Sequence, residues 1–173
     1  NTLVELAKNN NKFAMDYYTE SVKYNTGTIL FSPYSLSTAF GMGYVGEDTR
    51  GNKKIAKIFY FGEDKNKFQS SFKSLRDKIN NIQYKDDIKI KTASSYWICY
   101  ASQRVMRSYL SSINQIYNTS VYDLDADIPI DREQKTKLII DWIETQTIPI
   151  IKNMVSPGGL QILLNTIYFK GKW

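Results

Sequence analysis

The side chains of this sequence that could do nucleophilic or acid–base chemistry fall into no catalytic pattern. The sequence contains no histidine, so neither a Ser-His-Asp nor a Cys-His arrangement can be assembled from its own residues, and His-ligated zinc is excluded with them. Cys99 is the single cysteine, which rules out an internal disulfide and any CxxC pair. It lies in the strand-like stretch Ser94-Ser95-Tyr96-Trp97-Ile98-Cys99-Tyr100, where a buried, inert thiol is expected. Carboxylates gather at Asp86-Asp87 and at Asp123, Asp125 and Asp127. General acid–base catalysis uses such pairs, but loop solvation accounts for them at least as well. There is no Gly-rich phosphate cradle and no HExxH pattern. No enzyme, cofactor or metal is expected.

Charge offers a second kind of chemistry. Lysine and arginine number 23 against 17 acidic residues, a formal balance of +6, which can steer a protein toward nucleic acid, heparin-like polymers or anionic membranes. The cations are scattered. On a helix turning about 100 degrees per residue, Lys65, Lys73 and Arg76 fall on one flank and Lys67 and Lys78 on the other. Lys65, Lys73 and Arg76 are therefore the candidate polyanion contacts, with an ordinary solvated helix as the alternative. The longest apolar run, Leu160 to Phe169, is interrupted by Gln161, Asn165 and Thr166 and is too short to span a bilayer, so no membrane partner is expected. The sequence begins at Asn1 without Met, basic n-region or apolar h-region. Any targeting segment has been removed or never existed, and an extracellular location is expected over a cytoplasmic one.

The elements that must position these residues follow from periodicity. At 173 residues, 42% hydrophobic and 14% aromatic, with no repeat or linker, one globular domain over residues 1–173 is expected. Ala7, Ala14, Tyr17, Tyr18 and Val22 keep helical spacing and predict an opening helix that ends before Asn25 to Gly27. A short strand over Ile29 to Phe31 follows. Ser32-Pro33 then suits a helix start, the serine capping free amides and proline filling the first turn; that helix runs to about Val45, with Gly46 as its left-handed end. A further helix from Asp48 or Thr49 carries Ile55, Ile58 and Phe59 inward and ends at Gly62. Phe68, Phe72, Leu75, Ile79 and Ile82 form one apolar stripe on the next.

From Ile88 the period becomes two, with Ile88, Ile90, Thr92, Ser94, Tyr96 and Ile98 on one face of a long strand. Tyr109, Ile113, Ile116 and Tyr117 mark a short helix, and Val121 to Leu124 a short strand. Asp131 and Gln134 have the spacing of a capping box, opening a helix that carries Leu138, Ile139, Trp142 and Ile143 and is ended or interrupted at Pro149. Pro157-Gly158-Gly159 is a turn. Leu160 to Phe169 then reads as a strand covered on both faces.

Three segments carry a family resemblance. Phe31-Ser32-Pro33-Tyr34-Ser35-Leu36-Ser37-Thr38-Ala39-Phe40, followed at helical distance by Gly46, resembles the serpin segment holding strand 6B and helix B. Leu164-Asn165-Thr166-Ile167-Tyr168-Phe169-Lys170-Gly171-Lys172-Trp173 resembles the serpin strand 3A signature. Asp141-Trp142-Ile143-Glu144 stands where helix F of that family usually reads Asn-Trp-Val-Glu. The three lie in the family's order over essentially the whole chain. Connecting segments depart from the pattern, at Thr147-Ile148-Pro149-Ile150-Ile151 and at Gly46-Glu47-Asp48-Thr49-Arg50-Gly51.

The resemblance implies an α+β fold, in which helices A to F pack on part of a large central sheet A (strands 2A, 1A and 3A) with strand 6B, as the N-terminal half of the domain. It also implies a mechanism. In serpins a serine or cysteine protease cleaves an exposed loop, which inserts into the main sheet beside strand 3A and distorts the trapped enzyme. Ser32, Ser35 and Asn165 match the shutter, a polar cluster beneath the opening strands, and Trp173 matches the breach where insertion starts. A plain helix cap would also explain Ser32, and core packing Trp173. The reactive loop lies beyond residue 173 in the family, so this chain alone is expected not to inhibit. It is expected to self-associate or to pair with a C-terminal chain through the edge of strand 3A. A truncated binding protein and a polyanion-binding module are the alternatives.

Overall fold

The computed structural model describes residues 2–46, 49–82, 88–99, 105–124, 131–147 and 160–172. They fall into two compact units, residues 1–76 and 77–173, with the boundary inside a helix. The first unit is helical. It comprises α1 (Thr2–Ser21), α2 (Pro33–Tyr44), α3 (Thr49–Phe59) and the first part of α4 (Lys65–Ile82). No helix among the described residues is long and apolar enough to cross a membrane.

Its core is a chain of aromatic rings. Phe13 meets Phe59 at 4.3 Å between centroids, Phe59 meets Phe61 at 5.3 Å, and Phe61 meets Phe68 at 4.3 Å. Tyr44 stands edge-on to Phe68 at 5.1 Å, and its hydroxyl donates to the Gly62 carbonyl at 2.8 Å. Such pairs each add about 0.5–1.5 kcal/mol beyond the area they bury. The apolar stripe of α4 is where its spacing predicts, with Phe68 and Phe72 fully inside.

Two sequence-level expectations for α1 and α3 change at the level of faces. The buried residues of α1 are Leu6 and Phe13, whereas Tyr17, Tyr18 and Val22 are exposed; Tyr17 lays its ring on Phe13 and Phe31 and leaves its polar end in water. Ile58, expected inward, is exposed. The helix α3 also stops earlier than Gly62. Tyr60 takes the left-handed conformation with φ 57°, and the Phe61 N–H closes back onto the Ala56 carbonyl at 3.1 Å, which is the Schellman bond pattern. A tyrosine tolerates that strained position because its surroundings hold it: Asn9 Nδ2 donates to its carbonyl at 2.8 Å and Lys12 Nζ sits 4.3 Å from its ring centre. Residues Ile29 to Phe31, expected as a strand, form no ladder among the described residues, since an extended segment becomes a strand only when another chain segment pairs with it.

The second unit holds the end of α4 and, among the described residues, a three-stranded sheet with two further helices: β1 (Ile88–Ile98), α5 (Arg107–Tyr117), β2 (Thr119–Asp123), α6 (Arg132–Gln146) and β3 (Gln161–Gly171). The strand order is β2-β1-β3. The pair β1/β2 is parallel, with Ser94 opposite Thr119; the pair β1/β3 is antiparallel over its whole length, with Ser94 opposite Asn165 and Trp97 opposite Ile162. This is the α+β architecture and strand order that the resemblance implies.

The two sheet faces are covered by different helices. Under α6, Trp97, Cys99, Ile162, Leu164 and Tyr122 pack against Ile139, Trp142 and Ile143. Trp97 stacks on Tyr122 at 4.1 Å, and its indole N–H donates to Ser95 Oγ at 2.7 Å. The capping box that opens α6 is formed in both directions, Gln134 N–H to Asp131 at 2.8 Å and Asp131 N–H to Gln134 Oε1 at 3.2 Å. One turn further in, the buried Lys135 donates its ammonium to the Cys99 carbonyl. Leu138, expected on the inward face of this helix, is exposed instead. Pro149 and the turn at 157–159 lie outside the described residues.

On the other face, Tyr96 meets Tyr109 of α5 edge-on at 5.8 Å. Burial pushes the Tyr96 hydroxyl up to about 12. Burial also raises Tyr109, and a charge on Tyr96 raises it further. Both folded-state values exceed the value of about 10 for a free tyrosine, so the stability they contribute is complete below pH 10 and is lost as pH rises through 10 to 12 and beyond. The expected outcome is a urea midpoint that falls steeply over that window, and a shallower fall in Tyr96→Phe. Parallel curves for the two proteins would show that the pair does not control alkaline stability.

Candidate functional site: a polar row in the sheet

The pairing register creates the site. The Cys99 N–H donates to the Leu160 carbonyl at 3.0 Å, which makes that pair and every second pair along the ladder hydrogen-bonded in the backbone. The residues between them, including Asn165 opposite Ser94, form close pairs without ladder bonds, where side chains approach more tightly. Asn165 uses this proximity. Its Nδ2 donates to Ser94 Oγ at 3.0 Å and to the Ala93 carbonyl at 3.2 Å, tying β3 to β1 by side chain as well as by backbone. With Thr119 opposite Ser94 on the other side, a polar row Thr119–Ser94–Asn165 crosses all three strands. Thr119 is fully buried and donates its hydroxyl to the Ile113 carbonyl of α5 at 3.1 Å.

The row is not fully satisfied. The Asn165 Oδ1 is buried and accepts nothing among the described residues. The same alternation leaves the backbone N–H and C=O groups of Leu163, Asn165, Ile167 and Phe169 pointing away from β1, toward an edge that no other described strand covers. The strand β3 was expected to be covered on both faces. None of its residues is fully buried, however, and Ile167 and Phe169 are 36% and 64% exposed.

Ser32 and Ser35 belong to the helical unit, where they meet each other: the Ser35 N–H donates to Ser32 Oγ at 3.2 Å, so Ser32 caps α2 with Pro33 in its first turn. The Ser35 hydroxyl is buried without a partner among the described residues. Trp173 lies outside the described residues. Sequence reasoning missed Ser94 and Thr119. The alternation did place Ser94 on the same face as Tyr96 and Ile98, and a serine on that largely apolar face was the available signal, but its partner could come only from the register.

The basic helix offers less than its sequence suggests. Lys65 Nζ donates to the Gly46 carbonyl at 2.8 Å and sits 5.5 Å from the Tyr44 ring centre, and Asn52 Nδ2 donates to the same carbonyl at 2.7 Å. Lys67 pairs with Glu5 at 3.0 Å. Lys73 is exposed, Arg76 half-buried and engaged elsewhere. Among the described residues no cluster of three acidic, histidine or cysteine side chains could hold a metal.

Comparison with known proteins places the chain in a family. The profile described as Serpin (serine protease inhibitor) matches residues 8–173. An uncharacterised serpin-like protein of Methanosarcina mazei is 33% identical, over 98% of this chain and 40% of its own length. The leukocyte elastase inhibitor of Xenopus tropicalis is 31% identical over 93% of this chain and 43% of its own. The structure of emu ovalbumin superposes with a TM-score of 0.83 at 24% identity, covering 98% of this chain and 47% of that one. The chain therefore spans less than half the length of these relatives.

Removing the Asn165 carboxamide takes away two hydrogen bonds in a buried row. Asn165→Ala is expected to lower stability by about 1–3 kcal/mol, read as a shift in the urea midpoint. In a double-mutant cycle with Ser94→Ala the two losses should not add, since they share one bond. An unchanged midpoint would mean that the row does not tie the strands.

Proposed function

The chain belongs to the serpin family, and from that premise we propose that it supplies the N-terminal framework of a serine-protease inhibitor that works by accepting its own cleaved loop into the sheet. The observation that carries this reading is the edge of β3. Its outward backbone groups offer a full row of donors and acceptors to an incoming strand, the geometry of β-strand addition. Asn165 sits at the middle of that row and grips β1 through Ser94. In this reading it takes the part of a shutter residue of the family, a part that the resemblance also gives to Ser32 and Ser35, while Trp173 takes that of the breach. The target is a serine or cysteine protease. The name of the Xenopus relative supports inhibition of such an enzyme. An extracellular setting is a secondary part of the same proposal.

These 173 residues on their own are proposed not to inhibit. Incubated with a panel of serine and cysteine proteases, they should give no SDS-stable complex and no slow stoichiometric loss of activity. A single covalent complex would refute this division of labour.

The same edge favours association. An uncovered apolar strand templates another strand and is seldom left bare, so the chain alone is proposed to form a dimer or higher assembly through Leu160 to Phe169, or to pair with a C-terminal companion. Sedimentation at low micromolar concentration should show the assembly, and Ile167→Lys with Phe169→Lys should shift it to monomer. A wild-type monomer with protected amides throughout Leu160 to Phe169 and no second polypeptide would sink the idea.

A further inference from the structure

The turn from α5 into β2 reads Asn118-Thr119-Ser120, the one Asn-x-Ser/Thr triplet in the chain and free of proline, which is the acceptor pattern for N-linked glycosylation. The triplet alone is a weak signal. Its setting in the structure adds to it. Asn118 is the C-cap of α5 in the left-handed conformation, φ 53° and ψ 45°, with its backbone N–H donating to the Asn114 carbonyl at 2.8 Å. Asparagine is among the few residues that adopt this conformation readily, so the tight turn keeps a residue with a side-chain amide at the surface.

The three residues divide their roles. Thr119 is held inside, its hydroxyl donating to Ile113 and its carbonyl accepting Asn114 Nδ2 at 3.1 Å. Asn118 and Ser120 on either side are both exposed. The Asn118 carboxamide makes no hydrogen bond among the described residues, whereas its neighbour Asn114 is committed to the turn. A substituent on Asn118 Nδ2 therefore displaces no packing and breaks no bond. It would stand at the head of β2, an edge strand whose Val121 is exposed, where bulk discourages pairing with a second chain.

We propose that Asn118 is the acceptor of an N-linked glycan. Its Nδ2 attacks C1 of the first sugar of a polyprenyl-phosphate-linked oligosaccharide. The C1–N bond forms as the bond from C1 to the phosphate oxygen breaks, the lipid phosphate leaves with the electron pair, and the amide nitrogen gives up one proton. Ser120, two residues on, supplies the hydroxyl that the transferring enzyme recognises. The proposal rests on the extracellular reading only for its occurrence in the native cell, because acceptor competence can be measured by itself.

The full chain, given a removable signal sequence, is expressed in mammalian cells, and the whole translocated pool is read from medium and cells together. The expected result is a single added glycan that peptide-N-glycosidase releases without denaturant. Ser120→Ala, which leaves the Asn118 cap in place, and Asn118→Gln should each lose the glycan, and Ser120→Thr should keep it. A translocated chain without glycan, a glycan that persists in Asn118→Gln, or one released only after denaturation would overturn the assignment. Modification in this host together with an intracellular location of the native protein would leave the acceptor assignment standing and refute the extracellular reading instead.

Discussion

The second unit depends on β1, which among the described strands is the one bonded on both edges. Successive residues of an extended strand turn their backbone groups to opposite sides. In β1 the odd positions, and Cys99 just after its end, bond toward β3, and the even positions, such as Ile98, whose carbonyl accepts the Leu124 N–H at 2.9 Å, bond toward β2. The same alternation divides its side chains. Trp97 and Cys99 go under α6, Ser94 and Tyr96 go to the face that meets α5 and carries Asn165. A slip of one residue would exchange these two sets and place Ser95 where Ser94 meets Asn165.

That constraint explains how a polar row can persist in an apolar sheet. Burying a carboxamide without partners costs about 1–3 kcal/mol, and Asn165 avoids most of this through Ser94 and Ala93. Its Oδ1 and the outward backbone groups of β3 are left without partners among the described residues. A strand held on one edge by backbone and side chain, and open on the other, is suited to gaining a neighbour without losing the one it has. The proposed inhibitory mechanism requires that property of the sheet.

The helical unit reaches stability by other means. Its rings form a continuous aromatic chain from α1 to α4, and a few of its polar and charged groups serve local closure. Lys65 and Asn52 converge on the Gly46 carbonyl, and Lys67 reaches Glu5. The positive balance of the sequence therefore does not translate into a cationic patch along α4. Part of it is used to close the α2–α3 turn and to fasten α1.

The sequence by itself determined most of the elements and the family. The periods of two and of 3.6, Ser32-Pro33 at the head of α2 and the Asp131–Gln134 box are local patterns whose physics acts within a few residues, and each formed where its spacing placed it. The segments around Ser32, Trp142 and Asn165 sufficed for the resemblance that the family profile bears out. Tertiary structure decided which face of α1 and α6 is buried, where α3 ends, and that residues 29–31 are not a strand among the described residues. Tyr17, Leu138 and Ile58 have apolar side chains that fit the inward stripe, but only neighbouring elements determine how wide that stripe is. The partners of Asn165 also required the fold. Ser94 lies 71 residues away in sequence, and no local rule fixes a register between strands so far apart; the backbone ladder and the two covered faces fix it together.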